Sequence, residues 1–188
     1  MTRYLIRFLH LPGIFFLLLL GTTIQGSLFM NSSFGHLKPE INLLAVIWFA
    51  LHRNWLEGGI LTLFVGRLVE IHSGAPQGLF LTSYMAVFLM TRLIDRVLLI
   101  PNQKALFTYI FFLTLFFKIS QLTVLGLLNS ATYHWKNMLT WSIPQGIIQV
   151  CLAYWIFPLL EKFDWKTYKD PRSRQALEDE LRLDEEGF

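Results

Sequence analysis

Long apolar runs recur along this chain, separated by short polar breaks. A helix that crosses a bilayer needs ~20 mostly apolar residues. On that measure the pattern predicts helices over about Leu9 to Phe29, Leu37 to Leu51, Trp55 to His72, Gly78 to about Thr91, Ala105 to Leu128 and Met138 to Leu160. The fourth continues in more polar form to Ile100. The second is short, its apolar run starting only at Ile41, so it is expected to tilt, re-enter or lean on other helices. The breaks carry turn chemistry: Asn31-Ser32-Ser33 and Lys38-Pro39, then Ser73 to Gly78, then Pro101-Asn102. Asn54 is placed to cap the third helix, with Glu57 at capping-box spacing. Leu11 to Leu20 resembles the core of a signal peptide, but no small-x-small cleavage pattern follows. It is read as a retained first span.

Composition moves the picture from soluble core to membrane. Of the 188 residues, 54% are hydrophobic and only 15% charged, against about a quarter charged in soluble domains. A single domain of this length has no core large enough to hide 17 Phe and 6 Trp, so lipid is the expected solvent. The expected fold is an all-α integral membrane bundle of about six transmembrane helices. The lone Cys151 excludes an internal disulfide and a multi-cysteine metal site, and reads as a passive buried thiol.

Charge placement orients the bundle. With the N-terminus in the cytoplasm, the inner side holds Arg3, Arg7, Arg53, Arg92, Arg96, Lys104, Lys162, Lys166, Lys169, Arg172, Arg174 and Arg182. The outer side holds only Lys38 and Lys136. Twelve against two predicts a multi-pass inner-membrane protein with both termini cytoplasmic. Residues 1–160 form the expected bundle and 161–188 a charged cytoplasmic tail. The tail begins basic, suited to anionic lipid heads, and ends in six acidic residues between Glu178 and Glu186, expected to be solvated. The basic residues form no stripe interleaved with aromatics, so no nucleic-acid partner is expected.

Charges inside spans are costly and point to a function or a partner. Arg67 and Glu70 lie roughly 20 to 24 Å along the third helix, and Lys118 roughly 20 Å along the fifth. Gln145 and Gln149 share a face of the sixth helix, and Thr22, Thr23 and Gln25 of the first reach a comparable level. The expectation is one polar cluster of Arg67, Glu70, Lys118, Gln145 and Gln149 in the outward half, with Glu70 paired to Arg67 or Lys118. An ion pair that only fixes packing explains the same residues. Gly58, Thr62 and Gly66 recur every four residues ahead of Glu70, a small-residue face that lets a second helix approach closely. That helix belongs either to this chain or to another protein.

No sequence pattern for catalysis or a cofactor is present. His10, His36, His52, His72 and His134 stand singly near span ends, as interfacial histidines do. Phosphate-binding glycine loops and the G-x-S-x-G elbow are missing. Asp95, between Arg92 and Arg96, reads as local charge balance. Neither an enzyme nor a bound metal or cofactor is expected.

The segment from Lys38 to Pro101 resembles the MreD family of rod shape-determining proteins. Lys38-Pro39-Glu40-Ile41-Asn42-Leu43-Leu44 is similar to the proline-containing turn that leads into an apolar span in that family. Gly66-Arg67-Leu68-Val69-Glu70, followed by Gly74-Ala75-Pro76-Gln77-Gly78-Leu79, resembles its glycine, acidic residue and small-residue turn. Glu70 stands where the family more often has Asp, and Arg67 intrudes on a usually apolar stretch. The resemblance implies a fold like the substrate-binding membrane subunits of energy-coupling-factor vitamin transporters. It also implies a structural, non-catalytic part in the elongasome that directs side-wall peptidoglycan synthesis and cell shape. The implied partners are an MreC-like bitopic membrane protein and, through that complex, MreB, RodA and a class B penicillin-binding protein.

Three functions compete: a scaffold that binds other membrane helices, a substrate-binding subunit of a vitamin or small-metabolite transporter, and a small membrane enzyme. A stoichiometric metabolite retained in detergent would favour the second.

Overall fold

A computed structural model of the chain describes residues 10–29, 38–97, 103–128 and 135–167. These residues are entirely helical apart from short connections. They form six helices, α1 (His10–Phe29), α2 (Ile41–His52), α3 (Trp55–Ser73), α4 (Leu79–Val97), α5 (Gln103–Leu127) and α6 (Trp135–Thr167). Two segments, Ala105–Leu127 and Thr140–Phe163, are long and apolar enough to cross a membrane. Shorter apolar helices cover Gly13–Thr23 and Ile41–His52.

The short second helix is the axis of the bundle. Nine consecutive residues, Asn42 to Ala50, are buried, and α2 touches all five other helices. Its 12 residues rise only ~18 Å, less than a bilayer core. Apart from Asn42 and the terminal His52 it is apolar all round, as suits a helix enclosed by protein. Val46, Ile47 and Phe49 pack with Val65 of α3, Tyr84 and Phe88 of α4 and Phe117 of α5 in one apolar core. A satellite cluster joins Leu44 of α2 to Ile110 of α5 and Ala153 of α6.

Close packing of α3 on α4 depends on the small-residue face. A Cβ on Gly66 would lie 2.7 Å from the Cα of Leu81, so here the two backbones nearly touch. A Cβ on Gly58 would meet the Phe88 ring at 2.8 Å and the Phe49 carbonyl oxygen at 3.2 Å. Between them Thr62 is buried and returns its hydroxyl proton to the Gly58 carbonyl at 2.7 Å. That bond satisfies the hydroxyl without spending a neighbour. The second helix approaching this face is thus α4 of the same chain. Gly74, left-handed at φ 61, ends α3 and turns the chain toward α4.

Three expectations change in detail. Asn54 occupies the position before α3, but its side chain makes no capping bond. Glu57 reaches back to the Arg53 guanidinium at 3.3 Å, and that charge pair replaces the capping box. Cys151 is exposed on the outside of α6, not buried: the bundle faces the opposite side of that helix through Gln149 and Ala153. The sixth helix also continues past Leu160 to Thr167, while residues 168–188 of the expected tail lie outside the described residues.

Candidate functional site

A buried polar centre forms where the chain enters α2. Its hub is Glu40, the residue immediately before the helix, which is buried. Here the positive end of α2 favours an anion, and the helix leaves its first N–H groups to be satisfied. Gln25 of α1 donates from Nε2 to Glu40 Oε2 at 2.9 Å. Lys118 Nζ of α5 lies 3.9 Å from Glu40 Oε1. The Tyr84 hydroxyl of α4 lies beside the same carboxylate.

The Glu40 backbone is held from α6. Its N–H donates to Gln149 Oε1 at 3.0 Å, and Gln149 Nε2 donates to its carbonyl at 2.6 Å. One turn earlier on α6, Gln145 Nε2 donates to the Lys38 carbonyl. Asn42 Nδ2 donates to Thr22 Oγ1 at 2.9 Å, and Thr22 passes its own proton to the Leu18 carbonyl at 2.8 Å. Four helices, α1, α4, α5 and α6, thus converge on the two turns that begin α2.

A second buried charge sits at the α3–α4 junction. Glu70 Oε1 accepts a hydrogen bond from the Leu81 N–H at 3.0 Å, and Oε2 lies 3.5 Å from Arg67 Nη1. Leu81 is in the first turn of α4, so Glu70 caps that helix from its neighbour. The carboxylate meets the positive end of the α4 dipole, which accounts for its placement without any chemistry. The Arg67 side chain is 55% exposed, so it adds only a screened, surface-type partner.

The sequence-derived cluster therefore divides in two. Lys118, Gln145 and Gln149 gather around Glu40, while Glu70 pairs with Arg67 and leaves Lys118 to Glu40. One turn of α4, from Leu81 to Tyr84, separates the two groups. Glu40 is the residue that sequence reasoning missed. It stands beside Lys38 and Pro39 in what reads as a loop, where a carboxylate ordinarily faces water. The available signal was the short span itself: a helix beginning at Ile41 brings its preceding residue inside.

Among the described residues no group of three or more His, Cys, Asp or Glu is placed to hold an ion. Comparison with protein-family models, with curated proteins and with solved structures finds no match to this chain.

Proposed function

We propose that the chain is a multi-pass inner-membrane protein, with both termini cytoplasmic, that serves as a non-catalytic scaffold in the cell-elongation machinery. The observation that carries the membrane part is that many large apolar side chains lie on the outside of the bundle while several charged and amide groups lie within it. Glu40, Glu70, Lys118, Gln145 and Gln149 are buried, while Phe16, Leu56, Ile60, Ile71, Phe112 and Trp155 are exposed. In water that arrangement would waste the apolar surface; in hydrocarbon it puts each group where it is most stable. In this reading six helices lie in the bilayer, with α2 shielded by the rest.

The scaffold part follows the likeness of Lys38 to Pro101 to MreD. It is supported by how the polar centre is used: Glu40, Gln145 and Gln149 tie helices together. Such a rigid bundle suits a platform for an MreC-like bitopic protein, which in turn reaches MreB, RodA and a class B penicillin-binding protein. Affinity purification in mild detergent tests this directly. Co-elution of an MreC-like protein, with cells rounding on depletion, is the expected result; a chain recovered with neither effect would refute it.

A second reading is a substrate-binding subunit of a vitamin or small-metabolite transporter. It is favoured by the buried Gln25 Oε1 and Asn42 Oδ1, which have no hydrogen-bond partner among the described residues. A small metabolite co-purifying at one per chain, together with a transport ATPase, would select it over the scaffold.

A further inference from the structure

A cleft of ≈ 540 Å³ opens between the end of α2, the start of α5 and the end of α6. That size lies within the range of small-molecule sites, about 300–1,000 Å³. Under the proposed orientation it sits at the cytoplasmic edge of the bilayer, level with lipid headgroups. Its walls include Trp48, Phe107, Tyr154, Trp155 and Phe157, and His52, Pro158 and Glu161 also line it.

The Trp48 and Trp155 indoles and the Tyr154 hydroxyl can donate here, but the charged group and two others accept. His52 Nδ1 lies 3.2 Å from the Trp48 carbonyl oxygen, which can only accept, so Nδ1 carries the proton. In a neutral imidazole with Nδ1 protonated, the other nitrogen, Nε2, has a lone pair with which to accept. Pro158 lies inside α6 and has no N–H to give the Tyr154 carbonyl one turn back. Glu161 is exposed at the cleft and has no ion-pair partner among the described residues. Phe107 and Tyr154, with ring centroids 6.2 Å apart, add the negative faces of two aromatic rings.

A carboxylate set among aromatic rings suits a cation that brings its own N–H donors. We propose that this cleft binds the primary ammonium headgroup of an aminophospholipid from the inner leaflet. The ammonium sits between the aromatic rings and Glu161, and its N–H groups are shared among the carboxylate, the imidazole and the freed carbonyl. The acyl chains extend into the bilayer along the apolar outer face of α6, where Trp155 and Leu159 are exposed. This inference rests on the membrane reading above.

The test uses the full chain in nanodiscs of phosphatidylethanolamine mixed equally with phosphatidylglycerol, or with phosphatidylcholine. Native mass spectrometry after release into detergent counts the lipid that stays bound. Phosphatidylethanolamine should be retained about tenfold over phosphatidylglycerol. It should also exceed phosphatidylcholine, whose quaternary nitrogen keeps the charge but has no N–H to donate. Glu161→Gln, a surface substitution that leaves the fold intact, should remove most of the preference. Equal retention of all three lipids, or an unchanged preference in Glu161→Gln, would overturn the site while leaving the membrane reading standing. Retention of soluble glycerophosphoethanolamine in place of intact lipid would also overturn it. A chain that fails to enter nanodiscs and stays monodisperse in buffer would overturn both.

Discussion

Gln149 grips the peptide group of Glu40 from both sides, accepting from its N–H at 3.0 Å and donating to its carbonyl at 2.6 Å, across 109 residues of sequence. One side chain thereby replaces the paired bonds that a neighbouring strand would give. The carbonyl has other donors, since the Leu43 N–H reaches it at 3.0 Å. The N–H at the head of α2 depends on Gln149. Gln149→Leu keeps similar bulk and removes both bonds, so it should cost about 1–3 kcal/mol, the usual penalty of an orphaned buried donor. Thermal unfolding in detergent would read this as a lowered midpoint, and an unchanged midpoint would contradict the role assigned to the clasp.

Lys118 and Glu40 should behave as one unit. Removing a single partner of a buried pair leaves an uncompensated charge and costs about 3–5 kcal/mol. Lys118→Met alone should therefore be worse than Lys118→Met combined with Glu40→Gln. A charge swap between positions 40 and 118 should recover part of the loss, whereas a swap between 70 and 118 should not. Additive single and double effects, read from the fraction of monodisperse protein, would dissolve the pair.

At the other buried carboxylate the two partners should be unequal. Glu70→Ala leaves the Leu81 N–H without its acceptor inside the bundle, and a loss of about 1–3 kcal/mol follows. Arg67→Ala removes a largely exposed partner and should change stability by less than about 1 kcal/mol. If the two substitutions proved equal, Glu70 would owe its place to Arg67 and not to the α4 N-terminus.

The α3–α4 seam gives a graded series. Gly66→Ala sets a methyl against the Leu81 backbone, which cannot yield without moving α4. Overpacking of this kind costs typically about 1–3 kcal/mol. It would also pull the Leu81 N–H away from Glu70. Gly59→Ala meets only side-chain atoms at 3.9 and 4.0 Å and should be tolerated. Equal tolerance at both positions would show that the helices are farther apart than described.

Much of the fold was legible in the sequence because helix ends carry their own chemistry. The observed α1 and α3 begin and end within a residue or so of the apolar pattern, and α5 runs from Gln103 to Leu127 where Ala105 to Leu128 was expected. The seam at Gly58, Thr62 and Gly66 was legible for the same reason: spacing of four places residues on one helical face. The site was legible only in part. Depth along a helix placed Lys118, Gln145 and Gln149 at one level, yet depth says nothing about azimuth. Lys118 points at the start of α2 and Glu70 at the start of α4, and only tertiary packing decides that. Glu40 escaped because composition around Pro39 imitates a solvated loop. Capping of α3 failed for a local reason, since Arg53 offers Glu57 a stronger partner than the backbone N–H.

The enclosure of α2 has a consequence for biogenesis. On the proposed membrane reading, a segment too short to cross the bilayer, and headed by a carboxylate, has little tendency to leave the translocon into lipid alone. Its head is secured by Gln25, made before it, and by Lys118 and Gln149, made long after. A ribosome-bound chain stopped short of α6 therefore exposes an unclasped Glu40 peptide to its surroundings. On that same reading, insertion of the second helix becomes final only when the last helix arrives, and a membrane protease would see truncated chains as unfinished until that moment.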